Sequence, residues 1–155
     1  MIETLYWKDN SLFLLDQTKL SHIIEYYECS TYNDVIDSIK TMKVRGALAI
    51  GVSAAYGMAL VEVAGENLVK VGNEIKSAKP TAVNLFWAVD KVLDSVNNGN
   101  SAVKTVIQME KDDISINKKI GEYGNTILTH CNVGALACAG YGTALGEVRA
   151  AFDNH

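Results

Sequence analysis

Residues 47–63 read ALAIGVSAAYGMALVEV, and this stretch decides the fold that the sequence predicts. Between Gly46 and Gly65 the only charged residue is Glu62, so a count of length alone would allow a membrane-spanning helix. Alanine, glycine and serine dominate the stretch, however, and no aromatic belt flanks it. Since small side chains let neighbouring helices pack closely, the stretch is predicted to be a buried core helix of a soluble protein, not a membrane span.

Further helices are predicted on both sides of this core helix. Thr31 and Asp34 have the spacing of a capping box, and an apolar stripe at helical spacing follows them. The Arg45–Gly46 step interrupts this first helix and opens the core helix. The later helices are predicted over residues 68–76, from Pro80 to Asn97-Asn98-Gly99, and from Asn100 or Ser101 to about Tyr123.

The first thirty residues are predicted to form antiparallel strands. Residues 5–7 and 12–15 are apolar segments on either side of Asp9-Asn10, a turn-forming pair, and this order is typical of a β-hairpin. Residues 23–29 alternate imperfectly between apolar and polar side chains, and they add a third predicted strand.

The pattern changes again at residue 126. Residues 126–130 are a short β-branched apolar run, Cys131 to Gly134 turn the chain, and a glycine-bearing, helix-like segment continues to Phe152. A strand, a tight turn and a helix make the first half of a βαβ unit.

The sequence therefore predicts an α+β fold in two parts. Antiparallel β-strands followed by a helical bundle form a domain over residues 1–124, and the first strand-turn-helix of a Rossmann-like α/β domain covers residues 125–155. Because a lone strand of this kind has no sheet to join, we expect the chain to be a fragment of a longer protein.

The composition excludes several classes of protein. The formal net charge is −4 and no run of Lys or Arg exceeds two residues, which argues against a nucleic-acid partner. The amino terminus lacks the pattern of a secretory signal. Three cysteines without C-x-x-C spacing predict neither a disulfide framework nor a metal site, and a reduced, cytoplasmic location fits best.

Cys131 is the candidate catalytic residue. It directly follows a predicted strand, where α/β folds place functional groups, and the free N–H groups of a following helix would stabilise its thiolate. A thiolate is both a nucleophile and a competent base. A free cysteine is also commonly a small buried hydrophobe, and position alone leaves both interpretations open for Cys131. Burial is the better interpretation for Cys138, which lies in an apolar helical run.

Two cations precede predicted helix starts. Arg45 lies before Gly46-Ala47, and an arginine beside free backbone N–H groups makes a good phosphate clamp. Lys79 stands before Pro80 in the same way. Each is by itself compatible with a capping or surface residue, but together with a candidate thiolate the two favour a phosphosugar site.

Two other polar or glycine-rich patterns are predicted to carry no chemistry. Asp112 and Asp113 stand among lysines on a polar helix, so they are predicted to form a solvated charged face. The glycines at positions 134, 140, 142 and 146 miss the G-x-G-x-x-G spacing of a dinucleotide site, and no cofactor is predicted from them.

Several segments of the chain resemble methylthioribose-1-phosphate isomerases. They are WKD (7–9), LLDQ (14–17), MKVRGA (42–47), AIGV (49–52), AAYGMA (54–59), PTAVNLFWA (80–88), ILTHCN (127–132), GALA (134–137) and GYGTALG (140–146). The segments occur in the family's order and spacing, so the resemblance covers essentially the whole chain.

The resemblance implies a cofactor-free, homodimeric, cytoplasmic aldose–ketose isomerase of methionine salvage, which converts 5-methylthioribose 1-phosphate to 5-methylthioribulose 1-phosphate. It implies that Cys131 is one member of a catalytic pair whose aspartate lies on the carboxyl-terminal Rossmann-like domain, after His155. The residues that it implies in phosphosugar binding are Arg45, Gly46, Ala47, Lys79, Gly134 and Ala135. Without the aspartate, the 155-residue chain alone is expected to be inactive.

The sequence departs from the family pattern at two further positions, and two alternatives stay open. Lys79 replaces the family's arginine, which keeps the charge but loses bidentate phosphate recognition, and Leu48 replaces a proline. The alternatives are a ribose-1,5-bisphosphate isomerase and a non-catalytic regulatory subunit of the initiation-factor 2B type, both of which the same resemblance includes.

Overall fold

Three antiparallel strands followed by helices make up the part of the chain that the computed structural model describes, residues 2–123 and 132–153. The elements are β1 (Leu5–Lys8), β2 (Ser11–Leu15), β3 (Tyr26–Cys29), α1 (Tyr32–Lys40), α2 (Ala47–Ala64), α3 (Leu68–Ser77), α4 (Val83–Asn97), α5 (Ala102–Tyr123), a 3-10 turn (Ala135–Ala137) and α6 (Ala144–Asp153). The predicted α+β order of strands and then helices is confirmed. The predicted strand over 126–130 and Cys131 lie outside the described residues.

The sheet has the order β1-β2-β3, and its hairpin is the predicted one. Asp9 and Asn10 have φ angles of 50° and 61°, which a tight hairpin turn requires. The third strand is shorter than predicted, because residues 16–25 fold into a loop that the Asp16 N–H closes by donating to the Glu25 carbonyl at 2.9 Å. Ile23 therefore lies outside the sheet and is exposed.

The capping box that opens α1 is confirmed. The Asp34 N–H donates to Thr31 Oγ1 at 3.3 Å, and the Thr31 N–H donates to the Asp34 carboxylate at 2.8 Å. These reciprocal bonds satisfy backbone donors that the first helical turn leaves free. They fix the point at which the chain leaves β3 and enters the helical layer.

Helix α2 is the centre of the fold, as its sequence predicts. It is long and apolar enough to cross a membrane, but 72% of its residues are buried among the other elements. Small residues permit that packing: a Cβ on Gly51 would lie 3.0 Å from the Asn84 carbonyl oxygen, and one on Gly57 would lie 3.1 Å from Ile75. Its only charged residue, Glu62, lies near the carboxyl end.

The sheet reaches α2 through aromatic rings. Trp7 stacks on Tyr56 with 5.2 Å between ring centroids, and the Tyr56 hydroxyl donates to the Glu110 carboxylate on α5. Burial raises the pKa of Glu110, although the bond from Tyr56 opposes that rise. Tyr56 thus connects the sheet and the core helix through its ring, and the core helix and the long helix through its hydroxyl.

The Glu62 carboxylate of α2 caps the start of α5. The carboxylate accepts hydrogen bonds from the Ala102 N–H at 2.7 Å, the Val103 N–H at 3.0 Å and the Ser101 hydroxyl at 2.7 Å. Ser101 itself accepts from the Lys104 N–H, which confirms one of the two predicted caps of α5. The charge on α2 therefore satisfies the free donors at the start of α5.

Two predicted helix starts are wrong. Helix α4 begins at Val83 and not at Pro80, because residues 79–82 form a turn in which the Ala82 N–H donates to the Lys79 carbonyl at 3.0 Å. The predicted helix after Gly134 is an irregular segment over residues 132–143, here called the glycine loop, and α6 begins only at Ala144.

The glycine loop is irregular because its backbone reverses direction. Tyr141 and Gly142 have φ angles of 69° and 95°, which end any helix there. The Thr143 and Leu145 N–H groups then donate to the Val133 carbonyl, which closes the loop on itself. The α-helix that was predicted to follow the Cys131–Gly134 turn and to stabilise a thiolate therefore begins only at Ala144.

The segment 132–153 packs against the helices that precede it. Helix α6 crosses α5 where Gly121 and Gly146 meet, since a Cβ on Gly121 would lie 3.0 Å from the Gly146 carbonyl oxygen. The predicted domain boundary at residues 124 and 125 stays a prediction.

Candidate functional site

The turn of Arg45, Gly46 and Ala47, here called the RGA turn, opens α2 on the surface. Gly46 is the N-cap with a φ of 99°, and no side chain of the described residues caps the helix there. The first turn of α2 contains no acidic residue, and Arg45 and Ala47 are accessible to solvent. Free N–H groups, the positive end of the helix dipole and an arginine thus lie together, as anion binding requires.

The glycine loop lies directly against the RGA turn. A Cβ on Gly46 would lie 2.4 Å from Ala137 Cα and 2.8 Å from the Ala137 carbonyl oxygen, so only glycine permits this approach. Ala137 ends the 3-10 turn that begins at Ala135. The structure therefore brings two sets of predicted site residues together, Arg45 to Ala47 and Gly134 to Ala135, although they are about ninety positions apart in the sequence.

Two buried side chains next to the strands, Thr4 before β1 and Gln17 after β2, hold the glycine loop in place. Thr4 Oγ1 donates to the Ala135 carbonyl at 2.8 Å, and Gln17 Nε2 donates to the Leu136 carbonyl at 2.9 Å. Gln17 Nε2 also lies 3.5 Å from the Arg45 carbonyl oxygen. Residue-by-residue reasoning missed both roles. Only the resemblance of LLDQ (14–17) to the isomerase family pointed to Gln17.

Asp113 holds the glycine loop from the other side. Its carboxylate accepts from the Ala139 N–H at 2.9 Å, and burial raises the pKa of Asp113. The prediction of a solvated face is wrong for Asp113, while Asp112 is exposed as predicted. Helical spacing would have shown the difference, because Asp113 shares its face of α5 with the buried residues Met109 and Asn117.

Cys138 is a structural cysteine, as its sequence setting predicts. It is fully buried, and its Sγ lies 3.5 Å from the carbonyl oxygens of Gly134 and Gly140. Burial raises the pKa of the Cys138 thiol, which disfavours a thiolate. Cys131, the predicted catalytic thiol, lies outside the described residues. The chain resumes at Asn132, whose side-chain oxygen accepts from the Gly134 N–H at 3.2 Å.

Lys79 lies beside the segment that leads into the RGA turn. Its Nζ is 3.6 Å from the sulfur of Met42, which is three residues before Arg45. Lys79 stands on the turn before α4 and not at a helix start, so the structure gives it no helix dipole. Lys79 therefore places a positive charge beside Met42.

A groove of about 500 Å³ opens between α2, α4 and α5, next to the RGA turn. Leu48 and Val52 form its α2 wall, and Ile116 lies on its α5 wall. Trp87 of α4 lines the groove, with Lys91 Nζ 4.9 Å from its ring centroid. Within residues 2–123 and 132–153, no cluster of three or more His, Cys, Asp or Glu side chains is placed to hold a metal ion.

Comparison with known proteins places these features in a family. The model of the Initiation factor 2 subunit family matches residues 43–155. A curated protein of Methanosphaera stadtmanae named "Putative methylthioribose-1-phosphate isomerase" is 74% identical over 160 residues, which cover 99% of this chain and 51% of that protein. The chain thus spans about half the length of the curated relatives it matches.

Two solved structures share the fold. The translation initiation factor eIF-2B, subunit delta, from A. fulgidus has a TM-score of 0.86 and 36% identity, over 99% of this chain and 52% of that chain. The 5-methylthioribose 1-phosphate isomerase from Pyrococcus horikoshii OT3 has a TM-score of 0.86 and 29% identity, over 99% of this chain and 49% of that chain. Together with the family match across the RGA turn and the glycine loop, these likenesses show that the chain belongs to the Initiation factor 2 subunit family.

Proposed function

We propose that this chain carries the phosphosugar-binding half of a methylthioribose-1-phosphate isomerase. The observation that carries the proposal is the high identity to the Methanosphaera stadtmanae relative, because it extends over both segments of the candidate site. The geometry supports it independently, since the RGA turn and the glycine loop meet at Gly46 and Ala137.

The RGA turn is suited to the phosphate of the substrate. The uncapped start of α2 offers free N–H groups, and Arg45 adds a guanidinium that binds phosphate in a bidentate manner. Lys79 adds a second positive charge near Met42. Its ammonium group is a point charge, so it orients a phosphate less strictly than the arginine guanidinium does. The solvent accessibility of Arg45 and Ala47 leaves this turn open to a ligand.

Cys131 is the proposed proton-transfer group. Aldose–ketose isomerisation moves a hydrogen between adjacent carbons, so one group removes it while a second group assists at the neighbouring oxygen. The family resemblance implies that Cys131 is one of these two groups and that an aspartate of the carboxyl-terminal domain is the other. Cys131 directly precedes the glycine loop in the chain, and that loop contacts the RGA turn.

The groove beside Leu48 favours a substrate with an apolar end. Its α2 wall is apolar at Leu48 and Val52, and Ile116 faces it from α5. A methylthio group would bury apolar surface there, whereas a second phosphate would lose its water without a net positive charge to replace it, because Lys91 and Lys119 line the groove together with Asp112 and Asp113. This difference ranks 5-methylthioribose 1-phosphate above ribose 1,5-bisphosphate as the ligand.

Calorimetric titration of the purified chain with 5-methylthioribose 1-phosphate tests the proposal. We expect specific binding that Arg45→Ala weakens about tenfold or more, because a charge-assisted phosphate contact is lost. The exposed Lys70→Ala on α3 is the control and should bind as the unmodified chain does. Tighter binding of ribose 1,5-bisphosphate would contradict the choice of substrate, and no binding of either sugar phosphate would contradict the proposed function.

A regulatory subunit is the second candidate function. It is favoured by the higher identity to the A. fulgidus initiation factor subunit than to the Pyrococcus horikoshii isomerase. A regulatory protein has no need of a reactive thiol. An alkylation rate of Cys131 that sugar phosphates do not change would therefore support this candidate. The homodimeric assembly and the cytoplasmic location stay predictions that rest on the family resemblance.

A further inference from the structure

We propose that Gln17 is a positioning residue for this site: its buried side-chain amide holds the RGA turn and the glycine loop in the relative placement that binds the sugar phosphate. The inference rests on the proposed function and adds to it a residue outside both binding segments. Gln17 lies just after the end of β2.

Gln17 donates hydrogen bonds from its N–H groups to the RGA turn region and to the glycine loop. Its main-chain N–H donates to the Lys43 carbonyl at 2.9 Å, which ties the end of β2 to the approach to the RGA turn. Its side-chain Nε2 donates to the Leu136 carbonyl at 2.9 Å and lies 3.5 Å from the Arg45 carbonyl oxygen. One amide nitrogen has two hydrogens, so it can serve both carbonyls at once.

The position of Gln17 is fixed by its neighbours. Asp16 accepts hydrogen bonds from the Thr18 N–H at 3.0 Å and the Thr18 hydroxyl at 2.6 Å, and its own N–H donates to Glu25. Gln17 itself is only 4% exposed, so its amide has little freedom to turn towards water. Because the Gln17 amide is held in place, it also fixes the positions of the Leu136 and Arg45 carbonyl groups that it contacts.

The other side chains that hold the glycine loop do not reach the RGA turn. Thr4 bonds to Ala135 and Asp113 bonds to Ala139, so Thr4 fixes the loop to the segment before β1 and Asp113 fixes it to α5. Within the described part of the chain, Gln17 is the side chain whose donor faces carbonyls of both segments. Its loss would leave the loop attached but free to shift relative to Arg45.

The experiment compares Gln17→Met, which keeps the size and removes the donors, with the exposed Gln108→Met on α5 as the matched control. Titration with 5-methylthioribose 1-phosphate should show binding about tenfold weaker in Gln17→Met and unchanged in Gln108→Met. The alkylation rate of Cys131 in the presence of the ligand gives a second readout, since loss of positioning should remove the ligand's protection. A dissociation constant within about twofold of the unmodified value in folded Gln17→Met would overturn the proposal.

Gln17→Glu adds the pH dependence of binding as a readout. A residue that only stabilised the fold would not change this pH dependence. At neutral pH its carboxylate has no proton to donate, but the protonated acid can donate to Leu136, and burial raises the pKa of a carboxyl group. Relative to the unmodified chain at the same pH, binding by Gln17→Glu should therefore recover as the pH falls from about 8 to about 5. A binding ratio that stays constant with pH would overturn the proposal even if Gln17→Met failed to fold. No binding by the unmodified chain would instead overturn the proposed function itself.

Discussion

Gly46 is the residue on which the candidate site depends most directly. Its φ of 99° and its closeness to Ala137 are separate reasons for glycine at this position. The first is a property of the backbone, and the second is a contact between segments far apart in the sequence. The sequence indicated Gly46 as the start of a helix and as part of a resemblance, but it contains no local signal of the contact with Ala137.

Gly46→Ala tests the contact, with Gly65→Ala as the matched control. Gly65 also has a positive φ, of 69°, but a Cβ added there would meet no other atom within 4 Å. We expect Gly65→Ala to reduce the free energy of unfolding by about 1 kcal/mol through backbone strain alone. Gly46→Ala should cost about 1–3 kcal/mol more, because the added methyl group overlaps Ala137.

Urea denaturation of the two variants measures that difference, and titration with 5-methylthioribose 1-phosphate shows whether the site is affected. Gly46→Ala should lose binding, whereas Gly65→Ala should keep it. Equal losses of stability in the two variants would contradict the close contact between Gly46 and Ala137 of the glycine loop.

At the scale of elements, patterns among neighbouring residues correctly predicted the features that depend on interactions between neighbouring residues. The hairpin turn at Asp9-Asn10, the capping box at Thr31 and the apolar core helix were all predicted from neighbouring residues, and the structure confirms them. Most of the glycine loop, the part that follows the predicted turn at Gly134, was predicted to be helix-like. Its course depends instead on the Val133 carbonyl, which binds the N–H groups of Thr143 and Leu145, and no spacing rule predicts that choice.

The connection between α2 and α5 is an element-scale interaction with a testable pH dependence. Burial alone would raise the pKa of Glu62, but hydrogen bonds from Val103, Ala102 and Ser101 outweigh it and lower the pKa below the ordinary 4.5. A lowered pKa means that the charged form is the stabilising one. Its contribution is therefore complete above about pH 4.5 and is lost as the pH falls through the lowered pKa.

Glu62→Gln removes that charge from the start of α5. We expect a loss of about 1 kcal/mol in the free energy of unfolding at pH 7, as for other helix caps, and a smaller loss below about pH 4. Glu66→Gln on the exposed loop after α2 is the control and should change stability little at either pH. A loss that does not shrink in acid would contradict the assignment of the cap to the Glu62 carboxylate.

At the scale of the whole molecule, the fold serves to bring distant segments to one surface. The amino-terminal sheet region supplies Thr4 and Gln17, and α5 supplies Asp113. All three side chains hold the glycine loop, and Gln17 also reaches the Arg45 carbonyl of the RGA turn. Motifs in the sequence predicted which segments belong to a site, since the RGA turn and the loop both stood out. The side chains between them were not predicted, because a buried hydrogen bond to a backbone carbonyl leaves no motif.

The measurement that tests the central claim most directly is alkylation of Cys131 in the purified chain at neutral pH, followed by mass analysis of the labelled peptide. We expect Cys131 to react while Cys29 and Cys138, both fully buried, do not. We also expect 5-methylthioribose 1-phosphate to protect Cys131 in the unmodified chain and to fail to protect it in Arg45→Ala. Labelling of Cys131 at the same rate with and without the sugar phosphate would contradict its place in a phosphosugar site.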